Sequence, residues 1–249
     1  MAMNKQSNLY IFVYSSIMVI VVAALLSLAS TALKPFQQKN IETEKRLDIL
    51  KSVGSAKEVG TARNKHEYVG NEFNKVIVDQ YVVNLNGEMV EGINPFDINL
   101  KVEFSKTASQ QNLPVYVAQM DDESLKYILP LLGRGLWGPI WGYISLNDDF
   151  NTIYGASFAH KSETPGLGAE IATTDFQSQF KGKQIFQDGN FVSILVVKGG
   201  AQPDDIHGVD AVSGGTITSQ GLEYMIKDCL KNYQNFFIKS KELNHERED

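Results

Sequence analysis

The chain has 249 residues, a formal net charge of −6 and one cysteine, Cys229. An acidic chain with no basic cluster lacks the electrostatic footprint of a nucleic-acid-binding protein. A single cysteine excludes both an intramolecular disulfide and a cysteine-based metal site.

From Gln6 to Leu33 there is no charged residue, and Tyr10 to Leu33 is almost wholly apolar or small. At ~1.5 Å rise per residue this run can cross a ~30 Å hydrocarbon core. Tyr10 and Tyr14 sit near one edge, as interfacial aromatics do, and Lys34-Pro35 closes the other. The rival is a cleaved signal peptide with Ala29-Ser30-Thr31-Ala32 near the cut, but the run exceeds the ~7–15 apolar residues of a signal core. Residues 1–36 are therefore expected to form a membrane anchor, and residues 37–249 one domain outside the bilayer. Lys5 lies on one side, and Lys34, Lys39, Lys45 and Arg46 on the other, so flanking charge leaves the orientation open.

Next, Lys39 to Val53 reads as an amphipathic helix, with Ile41, Leu47, Ile49, Leu50 and Val53 apolar and Gly54 as its stop. Gln80 to Val90 surrounds Asn86-Gly87, a hairpin signal. Val115 to Met120 is a short strand; Trp141 to Leu146 and Thr152 to His160 are strands joined by Asn147-Asp148-Asp149; Phe191 to Val197 is another. Thr173 to Phe180 and Thr218 to Phe237 read as helices, and the charged tail Lys239 to Asp249 is expected to fray. Strands and helices mix without regular alternation, which predicts an α+β domain.

The chemistry concentrates at Asp210-Ala211-Val212-Ser213-Gly214-Gly215-Thr216-Ile217-Thr218-Ser219. A glycine-rich loop opening a helix presents backbone N–H groups and the positive end of the helix dipole, a ready phosphate site. The plainer reading is a helix start capped by Ser213, Thr216 or Thr218. Downstream, Leu222, Met225, Ile226, Cys229, Leu230, Tyr233 and Phe237 recur at helical spacing, which makes Cys229 a packing residue. His160, His207 and the acidic loop Asp204, Asp205 and Asp210 read as packed or solvated groups, and no Gly-x-Gly-x-x-Gly fingerprint is present.

Ser213-Gly214-Gly215-Thr216-Ile217-Thr218 resembles the flavinylation motif Ser-Gly-Ala-Thr-x-Thr of the FMN-binding domain family, with Gly215 where the family usually carries alanine. Glu163-Thr164-Pro165-Gly166-Leu167-Gly168 resembles a second signature of that family. Gly133-Arg134-Gly135-Leu136-Trp137-Gly138-Pro139-Ile140-Trp141-Gly142 is similar to a third segment. The resemblance implies that a flavin transferase joins FMN covalently, through its phosphate, to the Thr218 hydroxyl. Ser213, Gly214, Gly215, Thr216 and Ile217 would then contact the phosphate. Glu163, Thr164, Leu167 and Gly168 would line the isoalloxazine, and Trp137, ahead of Trp141, would form its opposite wall. On that reading, Gly168→Val intrudes on the ring without abolishing attachment. No catalytic residue and no metal ligand is implied, because the flavin carries the electrons.

The resemblance further implies an electron-carrying flavoprotein subunit of an ion-translocating membrane complex, anchored in a bacterial inner membrane with its domain on the periplasmic side. Its partners would be other subunits relaying electrons from NADH towards quinone, with no NADH site of its own. The alternatives are the corresponding subunit of an Rnf-type ferredoxin:NAD oxidoreductase and a non-redox, membrane-anchored binding or assembly domain.

Overall fold

The structure, a computed structural model, describes residues 7–248 and divides into two compact units between Lys45 and Arg46. Helix α1 (Asn8–Ser52) contributes to both and continues through Pro35 without a break. The apolar run and the amphipathic segment are thus one helix rather than two. By length and composition this helix can cross a membrane, and its large apolar residues between Leu9 and Leu33 are exposed. Gly54 ends it as expected. At φ +72° it lets the Ser55 N–H reach Leu50 O and its own N–H reach Lys51 O, a left-handed C-terminal cap.

Within the second unit, Leu47, Ile49, Leu50 and Val53 are buried. They pack with Val69, Phe73 and Val76 of helix α2 (Lys65–Val76). The sequence reading missed α2, because only those three of its residues are buried and the rest of its surface is polar. A local signal was present. Asn64 caps the Glu67 N–H, and Glu67 accepts from the Asn64 side chain in return, a variant of the capping box.

The centre is a six-stranded antiparallel sheet in the order β2-β1-β3-β4-β5-β6. Its strands are β1 (Ile77–Val83), β2 (Met89–Val90), β3 (Leu113–Gln119), β4 (Leu125–Arg134), β5 (Pro139–Leu146) and β6 (Ile153–His160). The Asn86-Gly87 hairpin joins β1 to β2 as expected, pairing Val82 with Val90 and Val83 with Met89. The short helix α3 (Leu100–Glu103) lies in the connection from β2 to β3. At the β5–β6 turn, Asp149 accepts the Asn151 and Thr152 N–H groups. The whole of β4 escaped the sequence reading. It carries Pro130 and Gly133, which weaken a strand signature, yet it is a central strand between β3 and β5.

Helices cover both faces of this sheet, so its central strands read as nearly continuous apolar runs instead of alternating ones. Tyr116, Ala118, Ile128 and Tyr143 face α2 and the last turns of α1. Val115, Leu129, Leu131 and Ile144 belong to the larger core, with Leu222, Met225, Ile226 and Phe237. These last residues come from α5 (Thr216–Asn232) and α6 (Gln234–Glu248), which follow the short helix α4 (Thr174–Ser178).

Where one long helix to Phe237 was expected, the chain breaks at Tyr233, whose buried hydroxyl donates to Pro114 O at 2.8 Å. The break lets Phe236 and Phe237 turn onto Phe150. The tail expected to fray is helical through Glu248. Cys229 is buried against β4 as expected, and burial pushes its thiol up to about 12.

The expected strand Phe191 to Val197 is two pieces, β8 (Asn190–Phe191), paired with β7 (Phe186–Gln187), and β9 (Leu195–Val197). Between them Ser193 adopts φ +66° while the Val192 and Ser193 N–H groups both reach Ile185 O. Strand β9 pairs in parallel with β10 (Gly208–Asp210), which runs directly into the glycine-rich loop.

Helix α5 lies on β4 at close range because Gly221 has no side chain. A Cβ there would stand 2.2 Å from Arg134 O. Gly221→Ala is therefore expected to push α5 off the sheet and destabilise the domain by about 1–3 kcal/mol, the usual cost of overpacking. Thermal unfolding of the purified chain measures this, and an unchanged midpoint would contradict the packing described.

Candidate functional site

Strand β10 ends at Asp210, whose N–H donates to Gln179 Oε1 at 2.8 Å. The chain then turns through Val212 to Gly215 and enters α5 at Thr216. Two bonds brace the turn: Gly215 N–H to Val212 O, and Val212 N–H to the buried Ser219 Oγ at 3.0 Å. Gly214 sits at φ +72°, where an L side chain is strained. A Cβ there would also come within 2.5 Å of Leu167 Cδ2. Gly215 is the helix cap, and no side chain caps this helix start. The first turn therefore keeps an anion-binding character. The glycine at 215 also relieves crowding, since a Cβ would lie 3.0 Å from Val212 Cγ1 and 3.2 Å from Gly168 N, so an alanine here would require Val212 or the Gly168 backbone to give by a few tenths of an ångström.

Three sequence segments meet at this helix start. The hydroxyl of Thr218, a residue only 1% exposed, donates to Glu163 Oε2 at 2.5 Å. The other oxygen, Glu163 Oε1, accepts the Trp137 N–H at 2.9 Å from the tip of the β4–β5 hairpin. The Glu163 N–H in turn donates to His160 Nδ1 at 3.2 Å. Two glycines make room for the carboxylate. A Cβ at Gly168 would lie 2.5 Å from Thr218 Oγ1 and 2.6 Å from Glu163 Oε2, and one at Gly135 would lie 2.6 Å from Glu163 Oε1.

Around this buried pair the surface is unusually apolar. Leu136, Trp137, Leu167 and Ile217 are 45%, 65%, 42% and 55% exposed. Ser213 and Thr216 are exposed beside them. The turn Thr164 to Leu167 is closed by Leu167 N–H and Ala169 N–H on Thr164 O, and by Gly166 N–H on Glu170 Oε1. Trp141 lies within β5, paired with Leu132 and Ala159, and is half-buried. The His207 N–H donates to Asp205 Oδ1 within their loop, and His207 Nδ1 lies 2.7 Å from Gln184 O in the segment ahead of β7.

All three motifs thus converge, but their side chains divide by depth. Thr218, Glu163, Gly168 and Gly215 are buried; Ser213, Gly214, Thr216, Ile217, Thr164, Leu167 and Trp137 form the surface. The sequence places Gly135 only among the glycines of the tryptophan wall and assigns no part to His160 or Ser219, whereas all three seat the glutamate or brace the loop. Only Gly135 carried a signal, being one of several glycines around Trp137. A side chain at Gly168 meets the threonine–glutamate pair, so Gly168→Ala is expected to force the pair apart and destabilise the domain by about 1–3 kcal/mol, the usual cost of overpacking. Thermal unfolding measures it; an unchanged midpoint would contradict the geometry.

The family model described as FMN-binding domain matches residues 135–231, a span that holds the Glu163–Gly168 and Ser213–Thr218 segments whole and the tryptophan segment from Gly135 onward. The NqrC subunit of the Na(+)-translocating NADH-quinone reductase of Haemophilus ducreyi is 30% identical over 214 residues, 80% of each chain. Its counterpart in Vibrio anguillarum is 41% identical over 110 residues, 44% of this chain and 43% of that one. The match thus spans less than half the length of the Vibrio relative. The crystal structure of the counterpart from Parabacteroides distasonis superposes with a TM-score of 0.71 at 43% identity, covering 82% of this chain and 96% of that one. That of Shewanella oneidensis NqrC gives 0.65 at 30% identity, covering 80% and 99%.

Proposed function

Because this chain belongs to the NqrC family of Na(+)-translocating NADH-quinone reductase subunits, we propose that it carries FMN covalently on Thr218 and relays electrons between neighbouring subunits towards quinone. The observation that carries this reading is the uncapped start of α5, with Thr218 in its first turn and an apolar rim around it.

The residues present suit FMN at both of its ends. Helix-start N–H groups and the exposed hydroxyls of Ser213 and Thr216 are donors for a phosphate. Leu136, Trp137, Leu167 and Ile217 are otherwise solvent-exposed apolar surface that a flat ring would cover. When bound, the flavin supplies the redox chemistry itself, and the protein supplies position and electrostatics. Here β10 and the Val212–Ser219 brace fix the loop, and the Thr164–Leu167 turn and the β4–β5 tip flank it.

Helix α1 anchors the domain in the inner membrane with the domain on the periplasmic side. The exposed apolar run of α1 supports the anchoring, and the side of the membrane rests on the family resemblance alone. A covalent link keeps the flavin from escaping into the surrounding fluid, and a flavin transferase installs it. The test is peptide mass mapping of the purified full chain: the FMN mass is expected on Thr218. That mass on Thr216 or Ser219 would move the assignment, and flavin released by denaturation would replace covalent with reversible binding.

A further inference from the structure

We infer that Glu163 is the base that activates the Thr218 hydroxyl when the flavin is attached, so that the acceptor protein supplies part of its own modification chemistry. The inference rests on the reading of Thr218 as the attachment residue. A threonine hydroxyl is a weak nucleophile and gains reactivity from an adjacent base, and such a base must lie within hydrogen-bond reach of the proton it removes. Glu163 Oε2 lies 2.5 Å from Thr218 Oγ1. That is the short range of an O–H donor on a carboxylate.

Three features show the carboxylate to be held for this contact. Its second oxygen is fixed by the Trp137 N–H, and its own N–H is fixed on His160 Nδ1. Glycines at 135 and 168 leave the space that the carboxylate occupies. Glu163 is also 4% exposed, so its contact with the equally buried Thr218 is shielded from bulk water.

In the step itself, the Thr218 Oγ–phosphorus bond forms and the phosphoanhydride bond of an activated flavin donor breaks. The Oγ proton passes to Glu163 Oε2 and leaves with the departing phosphate; nothing is oxidised or reduced. The donor must be a flavin joined to a second phosphate group, such as a flavin dinucleotide. It reaches Oγ only when the exposed Thr164–Leu167 turn moves off the start of α5.

The experiment uses the full chain made without transferase, then incubated with transferase and flavin dinucleotide while covalent fluorescence is followed in denaturing gels. Glu163→Gln keeps the shape: its amide oxygen can still accept the Trp137 N–H while its NH2 donates to Thr218 Oγ, so a purely structural role would survive it and only the base is lost. Its initial rate is expected to fall by about 100-fold, within the range for loss of a general base. Glu163→Asp withdraws the carboxylate by one methylene, and its rate is expected between the two. Wild-type labelling by folded Glu163→Gln overturns the inference. Should the glutamine variant not fold, wild-type labelling by Glu163→Asp overturns it. Thr218→Val, run alongside, must remain unlabelled. Label on that variant refutes the attachment site itself, whereas its absence with full labelling of Glu163→Gln refutes only the base.

Discussion

Thr218→Val is expected to yield a folded, membrane-integrated protein with no covalent flavin at all. Valine matches the shape of threonine and lacks only the hydroxyl, so the core around α5 stays filled. The substitution still has a structural cost, because Glu163 Oε2 loses its donor in a buried site. An unsatisfied buried acceptor costs about 1–3 kcal/mol, so a lower unfolding midpoint is expected along with the lost label. Thr218→Ser separates the two effects, since it restores the hydroxyl and the bond to Glu163. Serine is expected to recover in-gel fluorescence, whereas valine gives none. Persistent fluorescence in the valine variant would exclude Thr218 as the attachment residue.

The second large effect belongs to the assembled complex. Membranes containing Thr218→Val are expected to oxidise NADH at the wild-type rate with an artificial acceptor, and to reduce quinone only at background level. The asymmetry follows from the proposed position of this chain. On that proposal electrons enter at another subunit, and what is lost is a link between entry and quinone. The measurement compares the two rates in the same membranes, with the amount of assembled complex quantified. Full quinone reduction in the variant would remove this chain from the electron path.

Much of this protein is legible along the chain because the signals are local. The uncharged run before Lys34, the Asn86-Gly87 hairpin, the stop at Gly54 and the apolar face from Leu222 to Leu230 each follow from composition or periodicity over a few turns. The glycine-rich entry to α5 is legible for the same reason: loop, cap and helix are contiguous. Some failures were local too. Pro130 and Gly133 concealed β4, and Ser193 at φ +66° split an apparently continuous strand.

What only the tertiary structure decided is the meeting of Glu163 with Thr218 across 55 residues of sequence. The ring-facing role expected for that glutamate came from its place in a loop motif. Its burial beneath the threonine comes from the hairpin tip at Trp137, the glycines at 135 and 168, and the packing of Gly221 on Arg134. Those contacts depend on strand order, register and the depth to which a helix settles on a sheet. Residue spacing encodes the face of an element on which a side chain lies, but not which distant side chain it meets there.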